Sequence, residues 1–257
     1  MRLTVLAGPG RSTDILLNWL HDQGFDDIQV IIENEIPRRA KLRTRFRRLG
    51  FWTVFGQLVF QVTVPSVLKL FSTKRIDDIM DMHSLRDDVP ASTNVIRVDS
   101  VNDEQTIELL QRWQPNLVLV NGTQIIRRNV LGSIGSPFVN THAGITPRYR
   151  GVHGGYWALW NKDAIHFGAT IHLLDEGVDT GGIISHIYET PSVGDNFATY
   201  PLLQQAVSLS ELRKVLSDEN LSWLDRIKVE KEETEIGRQW YHPTILQYFS
   251  GAVRGIK

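Results

Sequence analysis

Residues 140–182 contain side chains of the types needed to move a carbonyl carbon onto an amine. Asn140 and His142 close the apolar segment 137–139, and Asp179 stands in the glycine-rich stretch 177–182. Residues two apart on an extended backbone point to the same side, so Asn140 and His142 can donate to one oxygen atom. The amide, imidazole and carboxylate are therefore the candidate catalytic group.

A structural interpretation of these residues is also available, because a lone histidine beside an apolar strand is more often a satisfied structural side chain. The presence of Asp179 favours a catalytic interpretation over a structural one. The glycines around it let the backbone come close to a ligand and leave room for the carboxylate. His142, His153, His172 and Asp179 could also supply zinc ligands, but the usual histidine spacings of zinc sites do not occur, so we predict no metal.

The composition sets limits on these interpretations. The chain has 257 residues, a formal net charge of -1 and 42% hydrophobic residues, which fits a globular protein with no overall bias toward nucleic acid. It contains no cysteine, which excludes disulfides, thiolate catalysis and cysteine-ligated metals. The short apolar N-terminus meets a glycine turn at once and does not resemble a signal peptide. We expect a cytoplasmic protein.

The elements that position the candidate residues alternate between strands and helices. Apolar strands are predicted at 3–7, 28–32, 94–98 and 116–121, with helices from residue 12 or 13 and over 103–112. Strands that are apolar on both faces indicate a parallel sheet covered by helices on both sides. The predicted fold class is α/β, a Rossmann-like and mostly parallel sheet. A catalytic domain is expected over 1–205, and a small helical C-terminal lobe over 206–257.

A basic and aromatic insertion, residues 37–71, interrupts this alternation. Its first part has seven Lys or Arg residues and no acid, and residues 49–68 carry no charge. One interpretation is a helix on an anionic surface, either a membrane or a nucleotide diphosphate, anchored by aromatic side chains. The other is a basic turn followed by a helix buried in the core or in a homodimer interface. Gln57, Gln61 and Pro65 argue against a membrane-spanning helix.

The turn Gly8-Pro9-Gly10-Arg11-Ser12-Thr13 joins the first strand to the first helix. Free backbone N–H groups and hydroxyls at such a place can hold an anion. The turn lacks the glycine pattern of a dinucleotide site, and the alternative is a tight turn in which Ser12 or Thr13 caps the helix. Gly10, Arg11 and Ser12 are nevertheless candidate substrate-binding residues, because Arg11 favours a phosphate.

The combined motifs resemble the folate-dependent formyltransferases, which include the glycinamide ribonucleotide, methionyl-tRNA and amino-sugar enzymes. The shared pattern is Asn-x-His-x-x-x-x-Pro, then Arg-Gly, then Gly-x-Thr-x-His and Asp-x-Gly. This chain has, in that order, Asn140, His142, Pro147, Arg150-Gly151, Gly168, Thr170, His172, Asp179 and Gly181. It departs from the pattern at Ala143-Gly144-Ile145-Thr146, after the histidine.

The resemblance implies a formyltransferase fold and 10-formyltetrahydrofolate as the formyl donor. It implies that Asn140 and His142 stabilise the oxyanion, and that Asp179 orients His142 and takes up the proton of the amine. Thr170 and His172 support this group. The folate is expected at backbone groups of two loops that include Gln124, Ile125, Ile126, Asp175 and Val178.

The acceptor is expected to be a small amine, because a methionyl-tRNA enzyme would need a larger C-terminal domain and a basic surface. The segment 150–157, the basic insertion and the C-terminal lobe favour a nucleotide-linked amino sugar of a polysaccharide pathway. Arg150, Tyr156 and Trp157 are its candidate contacts, and Trp240 is a further stacking platform. Glycinamide ribonucleotide, hydrolysis of the formyl donor and a non-catalytic membrane-surface protein are the alternatives.

Overall fold

The computed structural model describes residues 1–25, 27–35, 38–88, 93–227 and 237–257, and omits the side chains of 38–41, 43, 44 and 226. Arg38, Arg39, Lys41 and Arg43 of the basic insertion, and residues 228–236 of the predicted lobe, thus lie wholly or in part outside the described residues.

A seven-stranded sheet forms the centre of the described molecule. The strand order is β3-β2-β1-β4-β5-β6-β7, and the strands from β1 to β5 are parallel, while β6 and β7 are antiparallel to their neighbours. The predicted strands lie within one residue of the observed ends, so the predicted α/β fold is confirmed. The strands are β1 (Leu3–Ala7), β2 (Ile28–Glu33), β3 (Val95–Val98), β4 (Leu117–Asn121), β5 (Phe138–His142), β6 (Gly168–Leu173) and β7 (Ile183–Tyr188).

Helices cover both faces of this sheet. Alternate residues of β1 enter different apolar clusters, with Val5 and Ala7 in one cluster and Leu6 in the other, as expected for a strand buried on both faces. The helices are α1 (Arg11–Asp22), α2 (Arg38–Leu49), α3 (Phe51–Met82), α4 (Glu104–Trp113), α5 (Arg128–Leu131), α6 (Gly154–Trp160), α7 (Tyr200–Ser217) and α8 (Ile245–Val253).

The insertion folds as two helices, and α3 extends beyond the predicted segment to Met82. Phe60 and Ile79 are fully buried along its inner side. By length and composition α3 could cross a membrane, and 22% of its most apolar window is buried in the molecule. Its final turns carry Asp77, Asp78 and Asp81. The burial of Phe60 and Ile79 shows that α3 packs along the domain.

The C-terminal part packs on the main domain. The expected boundary between residues 205 and 206 falls inside α7, which lies against β6. Helix α8 packs on α3, and the strand-like bridge between Gly151 and Trp240 ties the chain before α8 to the middle of the domain. Among the described residues, the predicted lobe is therefore part of the same packed body.

A buried ion pair fixes α3 to the turn before α7. Nε and Nη2 of Arg75 donate to Oδ1 and Oδ2 of Asp195, each at 2.8 Å, and the Asp195 side chain is fully buried. Burial alone would raise the pKa of Asp195. The hydrogen bonds from Arg75 and Ser192 outweigh burial and hold this pKa below its usual value.

Replacing the arginine should destabilise the fold in a pH-dependent way. We expect Arg75→Met to lower the free energy of unfolding by about 3 kcal/mol at neutral pH, because it leaves the Asp195 carboxylate buried without its cation. A carboxylate with a lowered folded pKa contributes stability above its unfolded pKa, and this is lost as the pH falls through the folded value. The difference between variant and wild type should therefore shrink on acidification.

Urea unfolding measured at several pH values tests this expectation. Lys74→Met is the matched control, since Lys74 lies next in the helix and pairs with Asp78 at the surface, where ion pairs contribute little. Equal losses in the two variants, or a difference that does not change with pH, would contradict the role given to the Arg75–Asp195 pair.

Candidate active site

The pairing of β5 with β6 brings the central residues together. In this antiparallel register Asn140 lies opposite His172, and His142 lies opposite Thr170. Directly opposed residues of neighbouring strands have side chains about 5 Å apart. Two sequence motifs that are thirty residues apart along the chain thus form one cluster at the end of the sheet.

His172 holds the amide of Asn140. The buried His172 ring has its Nδ1 atom 2.8 Å from the carbonyl oxygen of Leu173, so Nδ1 carries the proton and donates. The Nε2 atom then accepts from the Asn140 amide at 3.2 Å. Since an amide nitrogen has two N–H groups, the second one is available to another acceptor. His172 thus holds the Asn140 amide in one orientation.

Asp179 is a largely buried carboxylate held by three groups. Its Oδ2 atom accepts from the backbone N–H of Gly151 at 2.9 Å and lies 3.4 Å from Nδ1 of His142, while Oδ1 lies 3.6 Å from Nε2 of His172. Burial would raise the pKa of Asp179. The interactions with His172, His142 and Gly151 together lower it below its usual value.

The backbone at Asp179 adopts the left-handed region, with a φ of 52°. Non-glycine residues rarely adopt this conformation, and such residues are concentrated at functional sites. Gly181 makes the same turn possible in another way, because a Cβ atom there would lie 1.8 Å from the carbonyl oxygen of Leu173. The turn is thus built to return Asp179 to the end of β5.

Both ring nitrogens of His142 face acceptors. Nδ1 faces the Asp179 carboxylate, and Nε2 lies 3.1 Å from the carbonyl oxygen of Tyr149. A neutral imidazole has a single N–H and can satisfy only one of them. These acceptors favour the cation, but burial is the larger effect and lowers the pKa of His142. His142 is thus neutral at physiological pH, with its N–H directed at one of two acceptors.

Small residues allow the Tyr149 carbonyl to come this close. A Cβ atom on Gly144 would lie 2.4 Å from that oxygen and 2.9 Å from Nε2 of His142, and one on Gly154 would lie 2.5 Å from the oxygen. Thr170 fixes the same loop, since its hydroxyl donates to the Gly144 carbonyl and accepts from the N–H of Thr146. Thr170 thus holds the loop 144–146 against β6.

Arg150 connects two segments around the site. Its guanidinium donates to the carbonyl oxygens of Gly237 at 2.8 Å and Val178 at 3.3 Å. The prediction that Arg150 contacts the substrate does not fit these bonds, which use the side chain to hold the turn of Asp179 against the C-terminal segment. Val178 contributes its carbonyl to this clamp.

The predicted stacking platforms are wrong for a steric reason. Tyr156 and Trp157 are 1% and 2% exposed, and Trp240 is 8% exposed, so none of them offers a free ring face to a base or sugar. Trp157 stacks on Trp240 and donates to the carbonyl of Tyr241. These rings instead pack the C-terminal segment onto the domain.

The two predicted folate loops lie side by side. Arg128, just after the first loop, is 3.0 Å from Glu176 of the second loop. Sequence reasoning missed Glu33, a buried carboxylate that accepts from the backbone N–H and the side chain of Gln124 and so fixes the first loop. The only indication of this role in the sequence is an acidic residue at the end of an apolar strand.

The residues of these loops that were predicted to bind the folate differ in exposure. Ile125 is 59% exposed, whereas Ile126 is 4% exposed and belongs to the core. Asp175 accepts from the N–H of Gly177 and the hydroxyl of Thr180, so its carboxylate shapes the second loop. Ile126 and Asp175 can therefore contribute mainly backbone groups or loop shape.

A cavity of about 640 Å³ runs from the β1–α1 turn to His142. Arg11, Ser12 and Lys69 line one part of it, and the walls are mainly apolar. The Ser12 hydroxyl donates to Asn121, and Arg11 is bonded to Asp87 at 2.6 Å, which compensates part of its charge. The hydroxyl of Thr13 donates to the Gly8 carbonyl, and Gly10 occupies the N-cap position, so neither Ser12 nor Thr13 caps the helix.

The cavity wall opposite this turn contains a pair of neutral histidines. Nε2 of His153 lies 3.0 Å from Nδ1 of His242. Burial, with a contribution from His242, lowers the pKa of His153 to about 3, and burial together with Arg45 lowers that of His242 to about 4. In the part of the chain that the structure describes, no group of three or more His, Cys, Asp or Glu residues could hold a metal ion.

Comparison with known proteins agrees with this geometry. Residues 67–190 match the family model described as formyl transferase, and this region is a formyl transferase domain. The chain is 33% identical over 93 residues to a methionyl-tRNA formyltransferase of Finegoldia magna, an alignment covering 36% of this chain and 30% of that protein. The compared relatives are matched over at most half of their lengths.

Solved structures share the fold at low sequence identity. Phosphoribosylglycinamide formyltransferase from Anaplasma phagocytophilum is 16% identical with a TM-score of 0.55, and the match covers 93% of this chain and 99% of that chain. WlaRD, a sugar 3N-formyltransferase in the presence of dTDP and 5-N-formyl-THF, is 16% identical with a TM-score of 0.54, covering 93% and 69%. These structures show a shared fold, and the match of residues 67–190 to the formyl transferase model agrees with the predicted formyltransferase family.

The charge of Asp179 should be measurable at His142. We expect Asp179→Asn to lower the pKa of His142 further, because the carboxylate is the main group that favours the imidazolium against burial. NMR titration of the ring, assigned with a His142→Gln variant, measures this shift. Glu176→Gln is the control in the same turn, since Glu176 pairs with Arg128 at the surface. A raised or unchanged pKa in Asp179→Asn would contradict the described electrostatics.

Proposed function

We propose that the protein transfers the formyl group of 10-formyltetrahydrofolate to the amine of a nucleotide-linked amino sugar. The observation that carries the proposal is the cluster of Asn140, His142 and Asp179, whose His142 lines the 640 Å³ cavity. Its supports are the formyl transferase domain at residues 67–190 and the fold shared with enzymes of this chemistry.

In the proposed reaction, a neutral amine attacks the formyl carbon and the formyl oxygen becomes negative. The N–H of Asn140 that is not bonded to His172 donates to this oxygen. A donor already held in place stabilises the developing charge without reorganising during the reaction. The new carbon–nitrogen bond replaces the bond to N10 of the folate, and the amine proton passes to that leaving nitrogen.

His142 and Asp179 act on the same intermediate. For this role the N–H of His142 lies on Nε2, where it exchanges the Tyr149 carbonyl for the formyl oxygen. The Asp179 carboxylate beside Nδ1 favours positive charge on the ring as the oxyanion forms. Asp179 also accepts the proton from the amine, directly or through water, before the proton reaches the leaving nitrogen. The low pKa of Asp179 keeps it ionised and able to accept.

The loops at 122–126 and 175–179 are the proposed folate site. The first loop is held rigid by Glu33 and exposes Ile125, while the second lies next to it through the Arg128–Glu176 pair. Loops held in a fixed shape suit a flat, polar ring that is recognised by its edge. The chain's own residues therefore fit a folate donor at this place.

The shape and charge of the cavity favour a nucleotide-linked sugar as the amine substrate. Its volume is in the range of sites for small-molecule ligands, and Lys69 and Arg11 provide cations for phosphate groups. The apolar wall with the neutral His153–His242 pair provides a surface for an uncharged sugar or base. Methionyl-tRNA and glycinamide ribonucleotide are the acceptors against which this choice is tested.

The decisive assay is tetrahydrofolate release from 10-formyltetrahydrofolate by the purified protein. The acceptors are a panel of nucleotide amino sugars, glycinamide ribonucleotide, methionyl-tRNA and no amine at all. Release that requires one nucleotide sugar supports the proposal. Release without an amine identifies hydrolysis instead, and release with methionyl-tRNA alone assigns the chain to the reaction of its sequence relatives.

Removal of the Asn140 donor should reduce turnover strongly. We expect Asn140→Ala to lower kcat on the order of a hundredfold, because one pre-positioned donor to the oxyanion is lost. Asn220→Ala, at an exposed position outside the cavity, is the control and should leave kcat unchanged. Steady-state kinetics with saturating donor measures the effect, and comparable activity of Asn140→Ala and wild type would overturn the assigned role.

Lys69 should affect binding of the acceptor more than chemistry. We expect Lys69→Met to raise the KM for the nucleotide sugar about fivefold with little change in kcat, since a hydrogen-bonded cation for phosphate is lost at a solvent-accessible place. Lys74→Met, on the outer side of the same helix, should leave KM unaltered. A change in kcat alone would place Lys69 outside phosphate binding.

A further inference from the structure

The outer side of α3 exposes large apolar side chains in a regular stripe. Trp52, Phe55 and Val62 are 80%, 51% and 72% exposed. Their spacing of three and seven residues places them on one side of the helix, opposite the buried Phe60. Contiguous exposed apolar surface of this kind marks an interaction site in most globular proteins.

Helix α8 adds to this apolar surface. It packs on α3, with Thr244 against Gly56 and the ring of Tyr248 against Phe60. Its outward residues are again apolar and spaced by three and four positions. We call seven of the exposed apolar residues of the two helices the apolar face: Trp52, Phe55, Val62, Leu70, Leu246, Phe249 and Val253.

The chain around the apolar face is positive. Residues 36–76 contain ten Lys or Arg and no acid, and residues 237–257 contain three Lys or Arg and no acid. The whole chain has a net charge of -1, so the acids are concentrated elsewhere. This separation of charge is a property of the two segments that form the face.

Helix α2 is fixed beside the face. Arg45 donates to Gln57 at 2.7 Å and to Gln61 at 3.3 Å, and Phe46 stacks on Phe51 with ring centroids 5.7 Å apart. Arg47 and Arg48 are exposed at its end. Exposed guanidinium groups therefore lie next to exposed aromatic rings at the junction of α2 and α3.

We propose that the apolar face docks on the surface of an anionic lipid bilayer. Aromatic and aliphatic side chains enter the acyl boundary, and the neighbouring arginines contact anionic headgroups. A second copy of the chain fits less well, because a two-fold contact would bring two acid-free basic segments together. The helix lies on the bilayer and does not cross it, since Phe60, Ile76 and Ile79 bind its inner side to the domain.

The apolar face and the cavity use different residues of one helix. Phe60 and Pro65 of α3 line the cavity, and Lys69 lines it at the border with the apolar face, seven residues after Val62. Trp52, Phe55 and Val62 belong to the apolar face. Docking in this way therefore leaves the inner side of α3 in place. The inference goes beyond the proposed reaction and does not require it.

Vesicle co-sedimentation of the full chain tests the proposal. The vesicles are phosphatidylcholine alone or mixed with phosphatidylglycerol, at about 0.1 M and about 0.5 M salt. We expect binding to the mixed vesicles at low salt, weakened at least about tenfold by high salt or by R47E/R48E. Binding that survives high salt and carbonate extraction would overturn surface docking in favour of a spanning helix.

Variants of the apolar face separate insertion from simple attraction of charge. Trp52→Ser with Phe55→Ser should weaken binding to the mixed vesicles at least about tenfold. Ile165→Ser and Arg112→Glu, at exposed positions outside the face, should bind like wild type. Thermal melting checks that each variant is folded.

Tryptophan quenching gives a direct readout of contact. Brominated lipid should quench wild-type fluorescence more than that of Trp52→Phe, which keeps an aromatic side chain and the fold. The absence of binding to mixed vesicles would overturn the proposal. So would a dimer in analytical ultracentrifugation that Trp52→Ser with Phe55→Ser converts to a monomer, because the face would then bind a second copy.

Discussion

The buried carboxylate of Asp179 is the constraint on which the site depends. A charge removed from water must be compensated by hydrogen bonds or by opposite charge. Here the Gly151 N–H donates to the carboxylate, and the rings of His142 and His172 face it from two further parts of the chain. The strained turn at Asp179, the Arg150 clamp and the register of β5 with β6 all serve to bring these parts together.

The same arrangement explains why the site is held by backbone groups as much as by side chains. The Tyr149 carbonyl reaches His142 only because Gly144 and Gly154 lack a Cβ atom. The loop at 122–126 is fixed by a buried glutamate that bonds its backbone. Such supports keep donors in place before a substrate arrives, which is the condition under which they stabilise a transition state most strongly.

Helix α3 links the cavity, the ion pair and the apolar face. Its inner side supplies Phe60 to the cavity and Arg75 to the buried pair with Asp195. Its outer side exposes aromatic rings to solvent. A helix of 32 residues that makes these contacts is an integral part of the domain, even though its most apolar stretch is long enough to cross a bilayer.

The sequence by itself determined the strands, the α/β fold class and the motifs with Asn140, His142 and Asp179. The pattern of apolar residues along a strand and the short spacing of residues within a motif are local properties. The tertiary structure alone decided that Arg150, Tyr156 and Trp157 are structural, since their partners at Gly237, Tyr248 and Trp240 are far along the chain. It also decided that the C-terminal segment packs on the main domain, and that Glu33 fixes a loop ninety residues away. The sequence does not distinguish an arginine or aromatic residue that contacts a ligand from one that packs in the core. Only the long-range packing of the folded chain does so.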